Sequence, residues 1–112
     1  MSSGYNEAQL SAPAVNVHRA LASLQEELEA IDYYNQRIDR SEDESLRAVL
    51  AHNRDEEVEH ATMLYEWLRR NFAPFDGPMK KYLFTTQPLT QIEAAAGAPG
   101  AAPGSLGIGP LK

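Results

Sequence analysis

The chain contains no cysteine, one tryptophan and no long apolar run. Without cysteine it can form neither disulfide bonds nor thiolate metal sites, and this fits the reducing cytoplasm. No apolar stretch approaches the about 18 residues of a transmembrane helix, and no charged segment followed by an apolar one opens the sequence. We therefore expect a cytoplasmic protein with neither a membrane span nor a secretory signal.

Basic residues are also in the minority: 10 against 16 acidic ones, for a net charge of −6. Of the 16 acids, 13 lie between Glu26 and Glu66. Such a surface makes nucleic acid an unfavourable partner and raises the local concentration of cations. The alternative for many of these acids is a solvated helix face that aids solubility.

Composition divides the 112 residues into four segments. Residues 1–13 are small and polar, as in a flexible tail, and residues 14–93 carry the periodic apolar pattern of one small helical domain. Residues 94–103 form a linker rich in Ala, Gly and Pro. Residues 104–112 regain apolar side chains, and these are Leu106, Ile108 and Leu111.

The periodicity predicts an all-α fold built on two long helices. The first runs from Ala14 or Asn16 to Asp39, and the second from a capping box at Ser41 and Glu44 to Asn71 or Phe72. The short connection makes the two helices antiparallel neighbours. A hairpin has one buried face and encloses little core, so we expect it to associate with copies of itself.

Pro74 and Gly77 are expected to stop the second helix. A short third helix is predicted over residues 78–84, with Pro78 at its first position. A further helical turn or two is predicted over residues 88–96.

The feature with most chemical content is Glu57-x-x-His60, because it interrupts an apolar stripe of the second helix. Asn53, Glu57 and His60 occupy three consecutive positions of that stripe. A carboxylate in a buried seam is costly unless a cation neutralises it. Spacing of three places both side chains on one helix face, and carboxylate oxygen with imidazole nitrogen suits iron, manganese or zinc.

Glu27 lies in the corresponding stripe of the first helix, where an antiparallel second helix can present Glu57 and His60 to it. One Glu with one Glu-x-x-His is half of the ligand set of a di-iron carboxylate bundle. Neither His18 nor His52 belongs to a second such motif. The simplest completion is a two-fold axis through the site, so that two hairpins form a four-helix bundle.

Two other interpretations remain open. In one, Glu57 and His60 form a buried hydrogen bond that fixes register in a non-catalytic, structural oligomerisation module. In the other, the chain binds a divalent ion such as zinc or manganese without redox turnover.

The segments around these residues resemble one family. Residues 26–39, residues 50–60, and the pair Glu66-Trp-Leu-Arg-Arg70 with Tyr82-Leu-Phe84 are similar to the encapsulated ferritins. The resemblance implies a two-helix hairpin with a short third helix. It further implies that hairpins dimerise into a ferritin-like four-helix bundle and that the dimers assemble into a ring, a decamer in relatives.

The resemblance also implies a ferroxidase that oxidises Fe²⁺ with O₂ at a di-iron centre, so that iron is both cofactor and substrate. Glu27, Glu57 and His60 would be its ligands, shared across a dimer interface, with Tyr34 beside the metals. Glu26 and Glu29, near Tyr33, would form an outer acidic site that attracts Fe²⁺. The position of Tyr33 is often Trp in relatives.

Residues 104–112 are similar to the C-terminal targeting peptides that attach cargo to an encapsulin shell. This implies residence inside an encapsulin nanocompartment in the cytoplasm, where the shell stores the iron that this protein oxidises. The linker would act as a tether that raises the effective concentration of the peptides at the shell.

Overall fold

The computed structural model describes residues 7–96, which are helical and contain no strand. A short 3₁₀ helix over Glu7–Gln9 precedes α1 (Ala12–Arg40) and α2 (Glu44–Asn71), followed by α3 (Ala73–Tyr82) and α4 (Leu89–Ala96). The predicted all-α fold with a long hairpin and a short third helix is confirmed. Within this part of the chain, no helix is both long and apolar enough to cross a bilayer.

Helix α1 begins at Ala12, two residues before the earliest predicted start. Ser11 caps it, since its side-chain oxygen accepts a hydrogen bond from the Ala14 amide at 3.3 Å. Pro13 lies in the first turn, where its missing N–H costs nothing. The proline expected to end the tail therefore helps to begin the helix.

The turn between α1 and α2 corrects the predicted capping box. Ser41 ends α1, and the α2 cap is Asp43, whose Oδ2 accepts hydrogen bonds from the Leu46 amide at 2.8 Å and the Ser45 hydroxyl at 2.6 Å. Asp43 suits this position because its short carboxylate reaches the orphan amides of the first turn. Arg47 completes the turn by donating to the carbonyls of Ile38 and Ser41.

Contacts between α1 and α2 run in opposite directions along the two helices, as an antiparallel hairpin requires. Arg47 reaches Ile38 near the turn, and Arg54 donates to the Asn35 side chain at 3.1 Å further along. Still further from the turn, His60 approaches Glu27. The hairpin therefore brings together the two stripes that carry polar residues.

The hairpin core is small. Only four described apolar side chains are buried, and these are Ala20, Leu24, Ala61 and Leu68. Leu28 of α1 and Leu46 of α2, which recur at helical spacing with other apolar residues of their helices, are 43% and 48% exposed in the single chain. A face that is periodic in sequence yet exposed in the monomer is a candidate contact surface.

Residues 72–96 form a second compact unit of α3 and α4. Helix α2 ends at Asn71, as predicted, and Pro74 then lies in the first turn of α3, which continues through Gly77. The third helix starts five residues before the predicted Pro78, which lies inside it. Asp76 in its first turn and Lys80 in its last match the helix dipole and pair at 3.0 Å.

Helix α4 agrees with the helical turns predicted over residues 88–96. The proposed linker and targeting peptide fall almost wholly in residues 97–112, outside the described part of the chain, as do residues 1–6 of the predicted tail. The four-segment division therefore stays a prediction.

Candidate metal centre

Three side chains from two helices meet in the middle of the hairpin. Glu27 comes from α1, and Glu57 and His60 come from consecutive turns of α2. One ligand atom from each lies within 4.8 Å of the other two. Among residues 7–96 this is the one such cluster of His, Asp and Glu side chains, and it joins the three residues that the sequence singled out.

The imidazole lies between the two carboxylates. His60 Nδ1 is 3.3 Å from Glu57 Oε1 and 3.6 Å from Glu27 Oε1. All three residues are half-buried: the side chains of Glu27 and Glu57 are 24% and 26% exposed, and that of His60 is 43% exposed. The carboxylates are thus partly withdrawn from water, whereas an edge of the imidazole still faces solvent.

The closeness of the two carboxylates determines the direction in which the pKa values of Glu27 and His60 are shifted. A hydrogen bond with Glu57 raises the pKa of Glu27, and burial and the Glu57 charge act in the same direction against the smaller opposing effect of His60. Desolvation tends to lower the pKa of His60, but the hydrogen bond to Glu57 and the charges of both carboxylates outweigh it, so that pKa is raised. The raised pKa values of Glu27 and His60 both reflect a local excess of negative charge, which a proton or a metal ion can offset.

The donor set fits a first-row divalent metal. Two carboxylate oxygens and one imidazole nitrogen suit iron, manganese or zinc, whereas Mg²⁺ and Ca²⁺ prefer oxygen ligands alone. Three protein ligands leave coordination positions open. The same three residues are half of the set that a di-metal carboxylate bundle uses.

Tyr34 lies outside this cluster of three. It is two turns along α1 from Glu27, about 10 Å at 1.5 Å per residue, and on the same side of the helix. Its half-buried ring faces the Arg37 guanidinium, whose central carbon is 5.6 Å from the ring centroid. The stacking, of cation–π type, follows from spacing of three on a helix and could have been predicted.

Glu26 and Glu29 also lie outside the cluster, on an exposed side of α1. Spacing of three makes them neighbours along the helix surface. The Tyr33 hydroxyl donates to Glu29 Oε2 at 3.2 Å, and this bond and the Glu29 charge raise the pKa of Tyr33. The predicted outer acidic site therefore includes a phenol that already contacts one of its carboxylates.

Sequence reasoning missed Glu56. Its Oε1 lies 3.9 Å from His60 Nε2, the imidazole nitrogen that does not face Glu27 and Glu57. The available signal was the spacing of four between Glu56 and His60, which places both on one helix face. This signal was hard to recognise because Glu56 lies in a run of acids, in which Glu57, at a spacing of three from His60, already forms a ligand motif.

This chain is similar to proteins of one family. The EncFtn-like family model matches residues 3–86. The encapsulated ferritin-like protein of Rhodospirillum rubrum is 52% identical over 92% of this chain and 82% of its own length. The ferritin-like protein of Thermotoga maritima is also 52% identical, over 80% of each chain.

A more distant relative is the encapsulin nanocompartment cargo protein EncC of Myxococcus xanthus, which is 34% identical over 80% of this chain and 73% of its own. Among solved structures, a protein from Nitrosomonas europaea is 50% identical, with a TM-score of 0.75 over 80% of this chain and 98% of that one.

Proposed function

This chain belongs to the EncFtn-like family of encapsulated ferritins, and we propose that it is a ferroxidase that oxidises Fe²⁺ to Fe³⁺ with O₂. The reaction takes place at a di-iron centre to which each of two subunits contributes Glu27, Glu57 and His60. The observation that carries this proposal is the convergence of those ligand atoms within 4.8 Å on two helices.

A second hairpin is part of the proposal because one chain offers only half of a di-iron ligand set. An exposed apolar stripe on the His60 side of α2 supports such a partner. Its members, each between 36% and 60% exposed, are Leu46, Val49, Met63 and Trp67. Together with Asn53 and His60 they recur at spacings of three, four and seven, which places them on one side of the helix. Two such stripes packed around a two-fold axis form a homodimeric four-helix bundle.

The chain supplies charge and geometry for the reaction. The carboxylates of Glu27 and Glu57 bind the substrate Fe²⁺ and stabilise the higher charge of Fe³⁺, since hard oxygen ligands favour the harder ion. Iron binding requires the ligand atoms to be deprotonated, so any proton on them is released when iron binds. Two adjacent irons supply two electrons to one O₂. Tyr34 lies beside the centre, and Glu26 and Glu29 attract Fe²⁺ towards it.

The dimers assemble further into a ring, which we take to be a decamer. Encapsulation is supported by two relatives whose names include an encapsulated ferritin and an encapsulin cargo protein. Residues 104–112 would attach the ring to an encapsulin shell through Leu106, Ile108 and Leu111. Oxidation then takes place inside a cytoplasmic nanocompartment, and the shell stores the product.

The first experiment measures O₂ consumption and Fe³⁺ formation by purified protein given Fe²⁺ in air. Oligomer mass and bound metal are determined on the same sample. We expect oxidation well above the buffer rate by an oligomer that binds about one iron per chain, since two chains share two metals. Stoichiometric binding without O₂ consumption would instead indicate a non-catalytic metal-binding protein. Assembly without metal and oxidation at the buffer rate would indicate a structural oligomerisation module.

A separate variant tests the shell proposal. Leu106→Ala should leave Fe²⁺ oxidation at the parental rate and reduce co-purification with a co-expressed encapsulin shell. Unchanged loading of Leu106→Ala and of a chain ending at residue 103 would show that attachment does not use the C-terminal segment.

A further inference from the structure

The two nitrogens of the His60 imidazole face different carboxylates. Nδ1 points to Glu57 and Glu27, at 3.3 Å and 3.6 Å, and Nε2 lies 3.9 Å from Glu56 Oε1. A neutral imidazole has its proton on one nitrogen and can bind a metal only through the other. The nitrogen that carries the proton therefore decides where a metal can bind.

We propose that Glu56 is a positioning residue of the metal centre. In the metal-free protein Nδ1 hydrogen-bonds to Glu57. With a metal in that place, the Glu56 carboxylate accepts a hydrogen bond from the Nε2–H of His60, which keeps the remaining proton on Nε2 and directs the Nδ1 lone pair to the space between Glu27 and Glu57. This inference rests on the proposed function, because it assumes that His60 is a metal ligand.

The geometry on α2 supports this role. Glu56 and His60 are four residues apart and therefore lie on one helix face. Glu57 is three residues from His60 and contacts its Nδ1, the nitrogen that faces Glu27. Metal-binding histidines almost always donate their second N–H to a carboxylate, carbonyl or water, and this contact fixes the tautomer and the ring orientation.

The separation of 3.9 Å is longer than a hydrogen bond. Both side chains retain freedom to close it, since that of Glu56 is 51% exposed and that of His60 is 43% exposed. Contacts of this kind commonly tighten once the ligand is bound. Binding of a metal at Nδ1 also polarises the ring and strengthens Nε2–H as a donor to the Glu56 carboxylate.

Co²⁺ binding to the full-length oligomer tests the role without any turnover. Affinity is measured by calorimetry, and the visible absorption of Co²⁺ reports its coordination. Loss of the Glu56 acceptor in Glu56→Ala should weaken Co²⁺ affinity about 10- to 100-fold, the usual cost of losing such a contact. Glu56→Gln retains a carbonyl acceptor and should recover most of that loss.

Glu59→Ala is the matched control, since it removes the same charge next to His60 from a position that does not face the imidazole. Affinity should remain within about twofold of the parent, because an exposed charge acts weakly through water. A loss as large as that of Glu56→Ala would show that only the net charge of α2 matters and would overturn the positioning role.

The tautomer is read directly on the Zn²⁺-loaded protein with ¹⁵N-labelled histidine. Two-bond ¹H–¹⁵N correlations should show the His60 proton on Nε2 and the metal on Nδ1. Zn²⁺ bound at Nε2 would leave no N–H there for Glu56 to accept and would overturn the inference.

His60→Ala separates the two levels of the proposal. If His60→Ala binds Co²⁺ like the parent, the proposed centre itself is wrong. If His60→Ala loses binding and Glu56→Ala does not, the centre stands and only the positioning role of Glu56 fails.

Discussion

At the turn of the hairpin Asp43 and Arg47 each meet partners of opposite character, whereas in its middle two carboxylates lie close to each other. Near the turn, Asp43 accepts from an amide and a hydroxyl, and Arg47 donates to two carbonyls. In the middle, two carboxylates and an imidazole lie with one ligand atom of each within 4.8 Å of the others. The same two helices therefore contain one satisfied polar region and one that lacks positive charge.

Two carboxyl groups illustrate the difference. The pKa of Asp43 is lowered because Ser45 and the Leu46 amide donate to its ionised form. The pKa of Glu27 is raised chiefly because it hydrogen-bonds to another carboxyl, that of Glu57. Hydrogen bonding alone does not distinguish a structural acid from a functional one; the identity of the partner does. An acid that only an added cation can satisfy is a candidate ligand.

The largest contrast is expected in catalysis. His60→Ala should reduce Fe²⁺ oxidation to the buffer rate while leaving the hairpin folded, because the imidazole is a proposed ligand and is not part of the buried core. The measurement is initial O₂ consumption, with circular dichroism as the check on folding. If a folded His60→Ala protein oxidised Fe²⁺ at the parental rate, the cluster in the middle of the hairpin would not be the site of the reaction.

The turn should respond in the opposite way. Arg47→Ala removes two hydrogen bonds to carbonyls and should lower the free energy of unfolding by about 2 kcal/mol, the usual value for charge-assisted bonds. Fe²⁺ oxidation per folded oligomer should be unchanged. Chemical denaturation and an oxidation assay on the same preparation check both statements. A loss of oxidation without a loss of stability would contradict the division between the two regions.

Removing charge from the middle should stabilise the metal-free protein. At neutral pH, Glu27→Gln removes one of two close negative charges and should raise the free energy of unfolding by about 1 kcal/mol, the Coulomb energy of such a pair near water. Added Mn²⁺ should raise the melting temperature of the parent, and it should raise the melting temperature of Glu27→Gln much less.

Glu59→Gln is the control for net charge, because it makes the same change at an exposed position. Equal stabilisation by both variants would show that the effect reflects the acidic surface as a whole. A less stable Glu27→Gln protein would show that Glu27 is satisfied without metal.

The smallest effect concerns acid pH at the turn. Because the pKa of Asp43 is lowered from its ordinary 3.8, the folded state binds fewer protons than the unfolded state in this range, and stability rises with pH. The Asp43 contribution is complete above pH 3.8 and is lost as pH falls through the folded-state pKa. Asp43→Asn keeps a capping oxygen but should show a shallower acid-side loss.

Melting temperatures at neutral pH and near pH 3 measure this difference. Glu66, whose pKa Arg69 and Arg70 lower to about 2, contributes to acid sensitivity in both proteins and cancels in the comparison. Parallel pH profiles for the parent and Asp43→Asn would show that the turn does not depend on the Asp43 charge.

Local sequence patterns were sufficient where neighbours along one helix decide the outcome. The spacing of three in Glu57-x-x-His60 places both side chains on one face in any α-helix, and apolar periodicity gave α1 and α2 with their antiparallel order. The same reasoning failed where local signals were ambiguous. Ser41 and Asp43 can both cap a helix, and Pro74 can begin a helix as readily as end one.

The sequence by itself determined two long amphipathic helices, the ligand types and the excess of acids, because side-chain chemistry and a period of 3.6 residues need no tertiary contact. The sequence predicted that Glu27 faces Glu57 and His60, but the tertiary structure alone decided the distances between them and that His60 turns Nδ1 to them and Nε2 to Glu56. Those relations depend on helix register and ring orientation, which packing of α1 against α2 fixes and no spacing along the chain encodes.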